Sequence, residues 1–241
     1  MARGFTTASS QKVEVASASL PTALPVTIAM WVYLPATPAA TEAMFQFGLD
    51  TDNFCEVQWR TDDKLRIRYK DAGNNRAADS SVLSTPAWYH IAAAYGDDLG
   101  DNATLYVNGS VDGIATPLVS PSGMDTFAIG DRPAYSTAAP LTGRVADAGL
   151  WTALLDTSEV TALQTAAPNR VDTANLVGYW PLRDGNDNDL VGGLHMTATN
   201  APTVEADAYK INRDGGEFGG APDPRWQTSG VQPAGAEGWR W

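Results

Sequence analysis

The stretch at residues 88–109, WYHIAAAYGDDLGDNATLYVNG, decides the architecture. Over residues 88–95 the side chains split by parity, with Tyr89, Ile91, Ala93 and Tyr95 on one face and Trp88, His90, Ala92 and Ala94 on the other. A strand sends alternate residues to opposite sides, and here both sides are largely apolar, so this strand is expected inside a layered structure. An acidic turn follows. Leu105 and Val107 then alternate with Thr104, Tyr106 and Asn108, and Asn108-Gly109 supplies the positive backbone angles that a two-residue hairpin requires. Such a pair belongs in a sandwich of sheets.

The same alternation extends in both directions. Val13 and Val15 against Lys12 and Glu14 mark a half-buried strand ended by the turn region at residues 21–25, and residues 28–33 read as a fully buried one. Phe45, Phe47 and Leu49 alternate with Met44, Gln46 and Gly48. Next, Cys55, Val57 and Trp59 share a face that Leu65, Ile67 and Tyr69 continue on the return strand. Paired residues must point the same way, so Trp59 opposes Leu65 or Ile67 and the loop between has three or five residues. The other face sets Glu56, Gln58 and Arg60 against Arg66, Arg68 and Lys70, which reads as an exposed, partly ion-paired surface, with a ligand platform as the alternative. Further strands are expected at 127–130, 143–151 and 176–181. One short helix is expected, capped by Asp156 with Glu159 reaching back, burying Val160 and Leu163 and stopped before Pro168.

Composition narrows the functional classes. Sixteen basic against 28 acidic residues leave a net charge of −12, which opposes nucleic-acid backbones and anionic membranes as partners. Cys55 is the single cysteine, so no intrachain disulfide is available, and it reads as a small buried hydrophobe. The N-terminal residues lack the apolar run of a secretory signal. The apolar stretch VTIAMWVYLPA is too short for a bilayer, which needs about 20 residues. Residues 1–208 therefore read as one all-β body.

From residue 209 the pattern changes to a Gly- and Pro-rich arm without a period of 2 or 3.6, which cannot build its own core. This arm, 209–241, nevertheless carries Trp226, Trp239 and Trp241, three of the eight tryptophans. Together with Phe218 and Arg225 they are the expected partner-binding residues, docked on a neighbouring chain or folded back on the body.

The ordered set VTIAMWVYL, WYHIAAAYG, LYVNGSVDG, FAIGDRPAYSTAAPLTGRVADAGLWTALLDTSEVTAL and LVGYWPLRDG resembles the concanavalin A-like lectin and glucanase superfamily, in its laminin-G-like branch. The resemblance covers roughly residues 5–208. It implies a jelly-roll sandwich of two antiparallel sheets, with Trp31, Trp88 and Trp151 as core residues rather than sugar platforms. The opening MARGFTTASSQKVEV also resembles jelly-roll modules of tailed bacteriophages. That second likeness implies a capsid decoration, cement or tail surface protein, made in the host cytoplasm and residing on the virion. Its partners would be a major capsid or tail protein and copies of itself.

Catalysis is not expected. Glycosidases on this fold need two carboxylates flanking one bond, about 5 to 9 Å apart, and none of the seven glutamates, Glu14, Glu42, Glu56, Glu159, Glu205, Glu217 and Glu237, lies close to another in sequence. His90 and His195 have no nucleophile elbow beside them. No cofactor is expected, although two acidic loops carry oxygen ligands of the kind calcium takes. Asp97, Asp98, Asp101 and Asn102 form one, and Asp184, Asn186, Asp187, Asn188 and Asp189 the other; as Asx-rich stretches they read first as turns. The alternative to the virion role is a carbohydrate-binding adhesion module touching a host glycan through loop carboxylates and exposed aromatics such as Tyr135 or Tyr33.

Overall fold

A computed structural model describes residues 1–96, 102–116 and 121–206. Its strands are β1 (Ala2–Phe5), β2 (Lys12–Ala16), β3 (Val26–Leu34), β4 (Glu42–Gly48), β5 (Phe54–Trp59), β6 (Lys64–Asp71), β7 (Asn74–Val82) and β8 (Ala87–Tyr95). The order continues with β9 (Ala103–Val107), β10 (Ser110–Ala115), β11 (Thr126–Ile129), β12 (Gly143–Trp151), the helix α1 (Thr157–Ala162), β13 (Leu176–Trp180), β14 (Thr197–Thr199) and β15 (Thr203–Glu205). One eight-stranded sheet runs β10-β9-β8-β3-β12-β1-β15, with β13 also paired to β12; a seven-stranded sheet runs β14-β2-β11-β4-β5-β6-β7. Every named pairing is antiparallel, and the chain crosses repeatedly between the sheets, with β4 to β7 consecutive in one and β8 to β10 in the other, the layout of a jelly-roll sandwich.

The parity rule accounts for the core. Val13, Phe45, Phe47, Val57, Trp59 and Ile67 from one sheet meet Ile28, Met30, Val32, Ile91, Leu105 and Val145 from the other. In β8 the second face is also covered: Ala92 and Ala94 lie with Ala29 and Tyr106 beneath Leu155, Val160 and Leu163 of the helical segment. That is why both faces of the opening stretch are apolar. The corner after β9 has φ of 48° at Asn108 and 78° at Gly109, as the hairpin requires. Trp59 pairs with Leu65, so five residues separate them. The helix carries its full capping box, Asp156 accepting from the Ser158 and Glu159 amides while Glu159 accepts from the Asp156 amide at 2.8 Å.

Several expectations need correction. Leu49 lies past the end of β4 and is 39 % exposed. Trp151 is buried, but Trp31 and Trp88 are half-buried on the outer side of the eight-stranded sheet. There Trp31 meets His90 edge-on at 5.4 Å, and Tyr33 lies 5.5 Å from Trp88 with the Arg144 guanidinium over its ring. The tryptophans of the inter-sheet core are Trp59 and Trp180. The polar face of β5 is not open either, because Glu56 and Gln58 are buried beneath a loop.

Candidate functional site

Across the outer side of the seven-stranded sheet, register aligns Glu14, Ala128, Gln46, Glu56, Arg68 and Ala77 in one row. The connection from β11 to β12 runs over this row as a strap. Asp131 ties the strap to itself, its Oδ1 accepting from the Arg132 amide at 2.7 Å and the Ala139 amide at 2.6 Å. Arg132 then reaches down to the fully buried Glu56, which also accepts from Gln58 at 2.7 Å and Arg68 at 3.3 Å. The basic side chains beyond are ion-paired as expected, Arg66 with Asp79 at 2.6 Å and Lys70 with Asp52 at 2.6 Å. Tyr135 sits within the strap, its phenol pKa pushed up by burial and by the carboxylates of Asp125, Glu14, Asp50 and Glu56. It is therefore a neutral, half-buried strap residue rather than an open platform. Gln46, beside Glu56 in the row, is fully buried and finds no hydrogen-bond partner among the described residues.

Where the strap returns to the body, it forms one wall of a cleft of about 380 Å³ with the β3–β4 connection. Pro35, Pro38, Ala40 and Pro140 give the cleft apolar walls, and Thr7, Thr41 and Thr142 add hydroxyls. Two bonds fix the walls: the Trp59 indole donates to the Ala36 carbonyl at 3.3 Å, and the Ala43 amide to the Ala139 carbonyl at 2.6 Å. At the cleft lies Glu42, only 4 % exposed. Its carboxylate accepts from the Thr142 amide at 2.9 Å. Burial raises its pKa and the Thr142 bonds partly offset that rise. Among the described residues no lysine, arginine or histidine lines the cleft.

The geometry offers no paired-carboxylate chemistry at Glu42 and Glu56, the two buried glutamates among the described residues. Glu42 pairs with Trp59, whose side chain enters the core, whereas Glu56 pairs with Gln46 on the outer row, so the two carboxylates belong to opposite sides of the sheet. His90 is buried and its pKa falls to about 3, which keeps it neutral.

The acidic loop at residues 184–189 is a structural knot. Arg3 holds Asp187 through two nitrogens, and Asp189 accepts from the amides of Tyr179, Val191, Gly192 and Leu194 at 2.7 to 2.9 Å. Among the described residues no cluster of three or more acidic, His or Cys side chains is arranged to hold a metal. Asp97, Asp98 and Asp101 of the other loop lie outside the described residues, as do Phe218, Arg225, Trp226, Trp239 and Trp241.

A family model described as the concanavalin A-like lectin/glucanases superfamily, of laminin-G type, matches residues 7–161, more than half of the chain. The chain belongs to that superfamily. Solved structures carrying this lectin-like sandwich include a Bacteroides ovatus protein proposed to bind carbohydrate, 18 % identical with a TM-score of 0.62, covering 88 % of this chain and 61 % of that one. A heptameric SAP-like pentraxin from Limulus polyphemus is 16 % identical with a TM-score of 0.55, covering 67 % of this chain and 80 % of that one. The LG4-5 domains of the mouse laminin α1 chain are 12 % identical with a TM-score of 0.51, over 65 % of this chain and 43 % of that one. At such identities the shared property is the fold. Among curated proteins no sequence matches.

Sequence reasoning missed the cleft. Glu42 stood there only as an isolated glutamate, and the Pro, Ala and Thr residues around it read as loop. The signal that was present is the charged residue opening a strand that is buried along its whole length, EAMFQFG.

Proposed function

We propose that this protein is a non-catalytic carbohydrate-binding module and that the cleft at Glu42 is its sugar site. The observation that carries the reading is a buried glutamate on the lining of a cleft with apolar walls and threonine hydroxyls. Sugars present apolar C–H faces and hydroxyl donors together, so they suit a site of mostly apolar lining with a few convergent polar groups. Glu42 retains acceptor capacity beyond its two Thr142 bonds and can take sugar hydroxyls as charge-assisted donors. The affiliation with a superfamily described by its lectins supports the reading, as does the Bacteroides ovatus neighbour. A site this small fits a millimolar dissociation constant, about −4 kcal/mol. Titration against a panel of mono- and oligosaccharides tests it, using Ala40→Phe to fill the cleft from the exposed loop. Binding by the parent chain and a loss of at least about tenfold in Ala40→Phe, roughly 1.4 kcal/mol, is the expected result; unchanged binding in the filled variant moves the site elsewhere.

A second reading, assembly on a virion surface, draws on the tryptophans of the arm and on Val204, which is 42 % exposed on β15 two residues before the described chain ends. Copurification of the full chain with intact particles, lost on Trp226→Ala, Trp239→Ala and Trp241→Ala together, is its test.

A further inference from the structure

We infer that the ligand of this cleft carries a free ammonium group, which makes it an amino sugar that is not N-acetylated. The inference rests on the cleft being the sugar site and adds the charge of what enters it. Among the described residues Glu42 makes no ion pair, in contrast to Glu56, which meets two arginines on the other side of the same sheet. Both Thr142 groups that bond Glu42 are neutral. A carboxylate held away from water without a cation is an uncompensated charge, so a ligand that brings a cation gains more there than a neutral one of the same shape.

The rest of the site narrows the carrier. An ammonium has three donors and no acceptor, which matches a carboxylate with lone pairs to spare. Thr7 and Thr41, elsewhere on the lining, suit ring hydroxyls, whereas the proline and alanine walls offer no second charge to a larger polyion. N-acetylation would remove the positive charge and place a neutral amide against Glu42.

The Trp59 indole N–H, bonded to the wall residue Ala36, serves as a reporter in NMR titrations of the full-length chain with glucosamine, N-acetylglucosamine and glucose. Glucosamine is expected to bind at least tenfold more tightly than the other two, and Glu42→Gln, which keeps an acceptor for Thr142, is expected to abolish that preference. Should the variant fail to fold, titrating the parent protein above the pH at which the sugar amine loses its proton gives the same information: glucosamine affinity is expected to fall to that of glucose, which stays level. Equal affinities for the three sugars, or a glucosamine preference that survives in Glu42→Gln, overturn the ammonium inference and leave the carbohydrate reading in place. If none of the three sugars nor any oligosaccharide moves the Trp59 resonance, both readings fall together.

Discussion

At the scale of single residues, the sandwich treats its buried polar groups in different ways. Glu56 is surrounded by donors and Asp189 by four amides, whereas His90 is held neutral against the edge of Trp31. The neutral state of His90 has a pH signature. The unfolded chain takes up a proton at this side chain near pH 6.5, whereas burial delays uptake in the folded chain to about pH 3. Between those values the unfolded state binds more protons, so stability falls as pH falls, by about 1.4 kcal/mol per unit from this group alone. The lowered carboxylates Asp50, Asp62, Asp79 and Asp156 start from about 3.8 and contribute the same sign of slope mainly below about pH 5. Urea midpoints between pH 6.5 and 5 therefore carry the histidine's slope, opposed by the early protonation of Glu42, whose pKa burial raises. The histidine's share is read as the difference between the parent and a His90 variant. His90→Phe, which keeps a ring beside Trp31, is expected to flatten that limb; an unchanged slope would show that His90 is protonated in the folded state.

At the scale of elements, what the sequence conveys depends on where each element finds its partners. β3, β5, β6, β8 and β12 bury a face against the other sheet, so their alternation is written in apolar residues. The helix is legible from Asp156 and Glu159 alone because its cap is local. β7 (NNRAADSSV) and the short β14 and β15 carry no such pattern, since these border strands take their register from one neighbour's backbone. The strap at residues 131–142 is the least legible and the most consequential. Its course depends on Arg132 meeting Glu56, 76 residues away, and on Ala139 meeting Ala43. The cleft exists only because of that course, which is why Glu42 gave no sign of its surroundings. Arg132→Ala removes one partner of a fully buried carboxylate and leaves Arg68 as the remaining cation. The expected loss is about 3 kcal/mol, the low end for a broken buried pair, read from denaturant midpoints. Faster amide exchange at Ala139 and Leu141 would place that loss in the strap, and slow exchange there would assign the anchoring to Asp131 instead.

At the scale of the whole molecule, both hydrophobic clusters close within the described residues. The inter-sheet core runs from Phe5 to Met196, and the cluster under the helix from Ala29 to Tyr179. The C-terminal side is tied down by β15 against β1, by Arg3 donating to the Pro202 carbonyl at 2.9 Å, and by Arg144 donating to the Ala206 carbonyl at 2.7 Å. Every strand pairing and every buried tryptophan named above is thus present in residues 1–206. A chain shortened to those residues is expected to unfold cooperatively, with stability within about 1 kcal/mol of full length, since no element of either core is removed. The same comparison bears on the arm. Trp226, Trp239 and Trp241 would each remove about 150 to 250 Å² from water if docked on this body, and losing three such contacts would lower the midpoint far beyond that margin. An unchanged midpoint together with loss of self-association or particle binding assigns the arm to other chains; a lowered midpoint in a monomer assigns it to its own sandwich. Sugar binding at Glu42 is expected to survive the truncation in either case, because every residue lining the cleft lies between Thr7 and Thr142.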